Sequence, residues 1–433
     1  MNFQINGGKK LKGTVVTNTA KNSAVVLLCA ALLNQNKTIL KGVPRIEEVN
    51  RIIEVLQSLG VKLKWLTRHN LEIIPPGKIN LKNLNVEAAA KTRSAILLLG
   101  VLVHSFKNFQ LPQAGGCKLG TRTVRPHFFA LENLGIRIKT LPDAYQINLN
   151  KLKPAEIVLY ESGDTVTENV LIAAAKIKGK TVIKFASANY QVQDLCHFLS
   201  KLGIKIKGIG TTTLTVVGKS KINQPIEYYL SEDPIESMLF ISVAVATGSS
   251  LTIKRCPIDF LELELLKLGK MGFNFKILKK YKSKNKITNL VDIKTFPSKL
   301  TALGEKIYAR PFPGLNIDNL PFFVPIATQA KGQTLIHDWV YENRALYYTE
   351  LSKLGADIIL ADPHRVYING PTKLKPNEVI CPPALRPAAI ILIGMLKAKG
   401  TSILRNVYSI SRGYEDLCSR LQKIGADIKI IEE

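Results

Sequence analysis

Apolar and polar positions follow one phrase that recurs six times: a run with helical spacing of apolar residues, closed by Leu-Gly or a near variant, then strict alternation. The copies are LQSLGVKLK to Lys64, LENLGIRIK to Lys139, LSKLGIKIK to Lys207, LGKMGFNFK to Lys276, LSKLGADII to Ile359 and LQKIGADIK to Lys429. Their glycines, Gly60, Gly135, Gly203, Gly272, Gly355 and Gly425, return about every 70 residues. Each suits the left-handed position just past a helix end, and the alternation after it predicts a half-buried strand. A second phrase precedes the first in every unit: AALLNQNKTILKGV, GVLVHSFKNFQLP, IAAAKIKGKTVIKF, SVAVATGSSLTIKR, IATQAKGQTLIHD and GMLKAKGTSILRN. It predicts a buried helix, a break and a short strand. Such units form either a solenoid or two closed groups of three. Their loops differ too much for a regular array, so two α/β domains of three units each are expected.

The polar residues gather where loops enter helices. At the first helix of the units stand Lys21-Asn22, Thr92-Arg93-Ser94, Asp164-Thr165, Asp233-Pro234, Asp318-Asn319 and Leu385-Arg386-Pro387. At the second stand Arg45, the loop around Cys117, Asn189-Tyr190, Pro257-Ile258, Glu342-Asn343-Arg344 and Ser411-Arg412. Cations beside helix N-termini make anion sites, so convergence of these loops would suit a small polyanionic ligand between domains.

Composition narrows the class. Of 433 residues, 46% are hydrophobic and 21% charged, which excludes a disordered basic tail protein. With 60 Lys and Arg against 33 Asp and Glu, the net charge of +27 lies on a folded surface and raises the possibility of a nucleic-acid or polyanion binder. The longest apolar stretch, Ser23 to Leu33, falls short of the roughly 18–20 residues of a membrane span, and MNFQINGGKK lacks a signal-peptide core, so a cytoplasmic protein without membrane association is expected. Six cysteines without a C-x-x-C pair and six dispersed histidines signal neither a disulfide framework nor a metal site. Cys29 and Cys196 lie in apolar helical runs and read as core residues. The run Lys279 to Lys286 reads as a solvated hairpin or loop.

The most specific segment is Ala114-Gly115-Gly116-Cys117-Lys118-Leu119-Gly120-Thr121-Arg122. Its glycines let backbone bend closely around a ligand, and Lys118, Arg122 and Arg125 favour the thiolate of Cys117. The plainer reading is a Gly-rich turn with an incidental cysteine.

Taken with Ala20-Lys21-Asn22-Ser23-Ala24, Arg93-Ser94, Asp233-Pro234-Ile235-Glu236, Pro311-Phe312-Pro313-Gly314, Asp318, Tyr341-Glu342-Asn343-Arg344, Leu385-Arg386 and Ser411-Arg412-Gly413-Tyr414-Glu415, that segment resembles the enolpyruvyl transferase (EPSP synthase) superfamily over essentially the full length, as a divergent member of the branch that uses UDP-N-acetylglucosamine. The resemblance implies two inside-out α/β barrel-like domains, each of three β-α-β-α-β-β units. One would span 21–232 with the Cys117 loop, the other 1–20 plus 233–433, with the active site in the cleft between them. It implies addition and elimination of enolpyruvate between phosphoenolpyruvate and the 3′-hydroxyl of the nucleotide sugar, the first committed step of peptidoglycan precursor synthesis. Cys117 would be the acid that fosfomycin alkylates and Asp318 the base. Lys21, Arg122 and Arg412 would hold phosphate, and Arg344 and Arg386 the carboxylate and the closed state. Asn22 would touch the sugar, Arg93 would lie near the anion, and Val340 would line the substrate site. No metal or organic cofactor is called for, since cations already supply the charge stabilisation.

Each assignment has a plainer rival. Asp318 could cap a helix, Arg344 and Arg412 could pair with Glu342 and Glu415, Glu236 could support its own helix start, and His127 could be a packed, hydrogen-bonded side chain. The chain also departs from the family pattern. Ala384, Arg125 and Ser411 stand where Asp is usual, Asn189 and Gln191 where acids are usual, and a lysine near Leu159 is absent. Because these departures fall mostly on the nucleotide-sugar side, a transferase with another hydroxyl acceptor is a second reading.

Overall fold

A helix that is apolar on every side must be covered on every side, and this governs the architecture. In a computed structural model of the chain, which describes residues 1–113, 115 and 123–432, the helix Pro234–Thr247 is buried at all 14 of its positions. Lys21–Ala30 is buried from Ser23 onward, Asp164–Ala174 from Val166 onward, and Leu385–Lys397 from Arg386 to Leu396. Cys29 and Cys196 are core residues, as their apolar surroundings suggest.

Contacts divide the described residues into two units, one built from 1–18 and 232–432, the other from 19–113 and 123–231. Within each, the apolar helices form the centre and three sheets cover them. The repeat is clearest at Glu156–Val158, Asp164–Ala174, Gly179–Lys184, Tyr190–Lys201, Lys205–Lys207 and Thr213–Gly218, which reads β-α-β-α-β-β. Glu156–Val158 pairs parallel with Gly179–Lys184, and the two later strands add antiparallel. In the strand Thr213–Gly218, Leu214 and Val216 face the helices while Thr213 and Val217 face out. The six phrase-ending glycines all adopt positive φ, between 82° and 94°, where a side chain would strain the backbone.

Neither end of a unit supplies its own last strand. Ile226–Tyr229 returns to pair parallel with Thr38–Lys41, closing the first sheet of the 19–231 unit. In the other unit Lys12–Val16 pairs parallel with Ser250–Pro257, and Asn2–Gly7 lies antiparallel between Gly400–Arg405 and Asp427–Ile431.

The strand after each Leu-Gly phrase is an edge strand. Lys62, Lys64, Arg137, Lys139, Lys205, Lys207 and Lys276 project from such edges into solvent. Charged edges resist pairing with other chains, so part of the +27 does this work without any ligand. The Lys279 to Lys286 run forms the end of the strand Phe275–Lys282 and the turn after it, with its lysines exposed.

Two helices approach closely at Gly100, where a Cβ would sit 2.5 Å from the Asn169 carbonyl oxygen. Gly100 N donates to Asn169 Oδ1 at 2.7 Å, and Asn169 Nδ2 donates to the Ile96 carbonyl at 2.9 Å. Beside it Glu168 is buried, its Oε1 lacking a hydrogen-bond partner among the described residues. Burial, reinforced by Asp164, pushes its carboxyl well above the usual range. The folded chain therefore keeps a proton that the unfolded chain releases above about pH 4.3, so Glu168 erodes stability as pH rises. Glu168→Gln should unfold at higher urea than the parent, with a gain that grows from pH 5 to pH 8. A constant or vanishing gain would show that Glu168 is not held neutral.

Candidate active site

In the 19–231 unit, the polar residues of three helix starts join into one network. Lys21 and Asn22 open Lys21–Ala30, whose first turn has no side-chain cap. Asn22 Nδ2 donates to Tyr190 Oη at 3.0 Å, and Tyr190, 2% exposed, opens Tyr190–Lys201. Asp164, which opens Asp164–Ala174, accepts at one carboxylate from three side chains: Ser187 Oγ at 2.5 Å, Asn189 Nδ2 at 3.0 Å and Gln191 Nε2 at 2.8 Å. This accounts for the amides at 189 and 191. Acids there would confront Asp164 with like charge, whereas amides donate to it.

Thr92 accepts from Ser94 N and donates to Glu48 Oε1 at 2.5 Å, setting the turn that carries Arg93. Arg93 Nη2 donates to the Thr123 carbonyl at 3.1 Å. Cys117, Lys118 and Arg122 lie outside the described residues. His127 is a core histidine: burial, helped by Arg93, pulls its pKa down to about 3. Its Nδ1 lies 3.1 Å from Asn169 Nδ2, a pure donor, so Nδ1 accepts and the proton sits on Nε2, 3.3 Å from Thr165 Oγ1.

In the other unit Asp318 is the focus. Its Oδ2 accepts from Arg386 Nη2 at 3.2 Å, and its Oδ1 lies 3.7 Å from Arg344 Nη1. The backbone beneath is fixed: Asp318 N donates to Asn316 Oδ1 at 2.8 Å, and the buried Glu264 accepts from Asn316 N at 3.2 Å and from Asn319 Nδ2 at 2.8 Å. Asp318 is not a helix cap. The short helix Leu320–Phe322 is preceded by Asn319, and the Asp318 carboxylate faces the two arginines. Nor does Arg344 behave as a surface cation paired with Glu342. It is 1% exposed and gives a bidentate pair to Asp338, itself 0% exposed, with Nε to Oδ2 at 2.5 Å and Nη2 to Oδ1 at 2.9 Å.

Arg386, at the start of Leu385–Lys397, also donates through Nη1 to Tyr414 Oη at 2.6 Å. Asp233 caps Pro234–Thr247, accepting from Ile235 N at 2.8 Å and Glu236 N at 3.3 Å. Burial raises its pKa to about 6, with Arg386 lowering and Glu236 raising it. Glu236 is the acid of its own helix's first turn, as expected, and it has a further task. It accepts from Asn18 N at 2.8 Å and Arg420 Nη2 at 2.6 Å, tying the amino-terminal segment to this unit. Val340 is exposed, next to Trp339, whose Nε1 donates to the Ala309 carbonyl at 2.8 Å. Arg412 does not enter a helix as expected. It follows the short helix Tyr408–Ser411 as its C-terminal cap, and Gly413 beyond it passes so near Leu385 that a Cβ would meet its side chain at 2.1 Å.

The 19–231 unit thus gathers Asn22, Tyr190 and Asp164, and the other unit gathers Asp318, Arg344 and Arg386. Asp338, Tyr348 and Glu264 escaped the sequence reading. The signal for Asp338 was an acid following the apolar end of the strand Ala330–His337, where burial demands a partner. Among the described residues no group of three or more His, Cys, Asp or Glu is placed to hold a metal ion, and no helix is long and apolar enough to cross a membrane.

Comparison with known proteins matches residues 5–421 to the family model of EPSP synthase (3-phosphoshikimate 1-carboxyvinyltransferase). The UDP-N-acetylglucosamine 1-carboxyvinyltransferase of Treponema denticola is 34% identical over 440 residues, covering 100% of this chain and 99% of that one. The enzyme of the same name from Campylobacter hominis is 34% identical over 432 residues, with coverage of 100% and 99%. Among solved structures, the enolpyruvyl transferase NikO from Streptomyces tendae has a TM-score of 0.85 at 22% identity, covering 99% of this chain and 98% of that one. An EPSP synthase from Acinetobacter baumannii has a TM-score of 0.76 at 19% identity, covering 100% of both. At those identities the solved structures speak to the fold alone, and they share it.

The neutral His127 has a measurable consequence. Its native pKa of about 3 lies below the ordinary 6.5, so the unfolded chain takes up a proton first as pH falls, and stability present above 6.5 is lost toward 3. His127→Gln should show a smaller drop in unfolding free energy between pH 7 and pH 4.5 than the parent, by about 2 kcal/mol. Parallel pH curves for the two proteins would refute the assignment.

Proposed function

The chain belongs to the EPSP synthase family of carboxyvinyltransferases, and on that footing we propose that it moves the enolpyruvyl group of phosphoenolpyruvate to the 3′-hydroxyl of UDP-N-acetylglucosamine and releases phosphate. The observation that carries the acceptor is identity of 34% along the whole chain to relatives named for that transfer. The step belongs to cytoplasmic synthesis of peptidoglycan precursors, and thereby to cell shape and division.

The chemistry accounts for the residue types. The sugar hydroxyl adds to the enol carbon as a proton reaches the methylene carbon. That proton is then lost from the resulting methyl group as the carbon–oxygen bond to phosphate breaks, restoring the double bond. A general acid, a general base and fixed cations are needed. Cys117 serves as the acid. Asp318 takes the hydroxyl proton and lies beside the guanidinium groups of Arg344 and Arg386. Lys21, Arg122 and Arg412 bind phosphate, Arg344 and Arg386 the carboxylate, and Arg93 the anion's periphery. Asn22 meets the sugar, and Val340 lines its site. In this reading residues 21–232 and 1–20 with 233–433 are the two domains, the cleft between them holds the substrates, and closure excludes water. A nucleic-acid partner loses its motive once edge lysines explain much of the charge.

One observation favours a second reading, a different hydroxyl acceptor. Asp164, with Asn189 and Gln191 donating to it, gives the 19–231 unit a network built unlike the family's usual acids at those two positions.

Phosphate release should require both substrates, and Cys117→Ser should reduce it at least about a hundredfold, as expected for loss of an acid. Fosfomycin should add mass to a peptide carrying Cys117 alone. Release that is indifferent to the nucleotide sugar would refute the proposal, and a better acceptor in a panel of UDP-sugars would select the second reading. Tyr190→Phe, which frees Asn22 Nδ2, should raise KM for the nucleotide sugar about three- to tenfold, the worth of one hydrogen bond, with KM for phosphoenolpyruvate unchanged. Equal changes in both constants would remove Asn22 from the sugar site.

A further inference from the structure

Asp318 faces charge from several elements. Arg344 Nη1 is 3.7 Å from Oδ1 and Arg386 Nη2 is 3.2 Å from Oδ2. Tyr414 receives Arg386 Nη1, Asp233 acts on the same guanidinium from the start of Pro234–Thr247, and the Tyr341 ring lies 4.3 Å from the Arg344 guanidinium carbon. Two full cations beside a carboxylate depress its basicity, which suits an anion but weakens a proton acceptor.

Arg344 does not present a full cation. Two of its nitrogens are taken by Asp338, and Nη2 also donates to the Ile317 carbonyl at 2.8 Å, so Nη1 is the nitrogen turned to Asp318. Asp338 is fixed in turn: Tyr348 Oη donates to its Oδ2 at 2.5 Å, its N donates to the His364 carbonyl at 2.7 Å, and its carbonyl lies 3.1 Å from His364 Nδ1. Burial works against the charge on Arg344, but Tyr348, Asp338 and Tyr341 outweigh it, so the guanidinium is held more firmly protonated than a free arginine.

We propose that Asp338 is a positioning residue for the transfer: it offsets the charge of Arg344 and aims one of its nitrogens at Asp318, leaving Asp318 basic enough to accept the hydroxyl proton. This rests on the reading of Asp318 as the base. A buried ion pair is weak evidence of stability, because an apolar pair of equal volume often serves as well. A fixed, half-neutralised guanidinium beside a carboxylate is something an apolar pair does not provide.

The test is the pH dependence of kcat in the full-length enzyme with both substrates saturating. Asp318→Asn should abolish turnover. Asp338→Asn should move the acid limb down by about half a unit to one unit, as loss of one nearby anion requires, and lower the plateau about threefold through the weaker base. Asp338→Glu should return the limb to its original place. The double variant D338N/R344M removes the Arg344 cation as well and leaves no unpaired buried charge, so it serves even if D338N does not fold. Its limb should lie at or above that of the parent, however low its rate. A D338N limb at the parental pH, or a double-variant limb below it, overturns the proposal while Asp318 remains the base. Turnover that survives Asp318→Asn overturns the base assignment and this inference with it.

Discussion

Burial of the central helices on all sides leaves very few places for polar chemistry. Pro234–Thr247, buried along its whole length, allows polar side chains only where a partner waits: Asp233 and Glu236 at its start, and Ser237, Ser242 and Thr247, whose hydroxyls donate to the Asp233, Phe322 and Val243 carbonyls. The same limit acts on Lys21–Ala30, Asp164–Ala174 and Leu385–Lys397. Their first turns carry Lys21 and Asn22, Asp164, and Arg386, while Asn169, buried deeper, is held by hydrogen bonds inside the core. A helix start has unpaired N–H groups and positive potential, so the positions the core leaves open are those suited to anions. The placement of the proposed phosphate and carboxylate ligands follows from packing before any demand of catalysis.

One carboxylate in each unit shows how polar side chains are gathered, and the two do so differently. In one, Asp164 gathers Ser187, Asn189 and Gln191. In the other, Asp338 gathers Arg344 and Tyr348. The three donors described on Asp164 are a hydroxyl and two amides, whereas a guanidinium pairs with Asp338 and offsets its charge.

Much of this could be read from the chain alone. The period of about 70 residues, the six glycines with positive φ, and the edge strands after them are local consequences of spacing and sterics, and these are visible in sequence. Helix starts were equally legible at Lys21, Asp164, Asp233 and Arg386. Asp338 and Tyr348 were not, because a buried partner is recognised only when a distant turn brings Arg344 to it. Asp318 suggested a cap by its type, but a hydrogen bond from its own N–H to Asn316 and the capping position of Asn319 decide otherwise. Arg412 stands at the end of the short helix Tyr408–Ser411, a helix that the repeat phrases do not mark. The segment Gly116 to Arg122, which the sequence marks as a candidate for reactivity, lies outside the described residues, so its reading rests on the sequence alone.

The strands Asn2–Gly7 and Lys12–Val16 bear on how the molecule is made. Their partners are Gly400–Arg405, Asp427–Ile431 and Ser250–Pro257. During synthesis the amino-terminal segment leaves the ribosome first, yet the last strands it must join emerge after some 400 residues of intervening chain. Residues 19–231 close their own sheets, since Ile226–Tyr229 returns to Thr38–Lys41, and so can fold as soon as they are made. These two strands thus wait longest for their partners, while a complete unit forms behind them. Loop-closure entropy grows only slowly with such a separation, so the arrangement costs little at equilibrium and weighs chiefly on the rate of assembly.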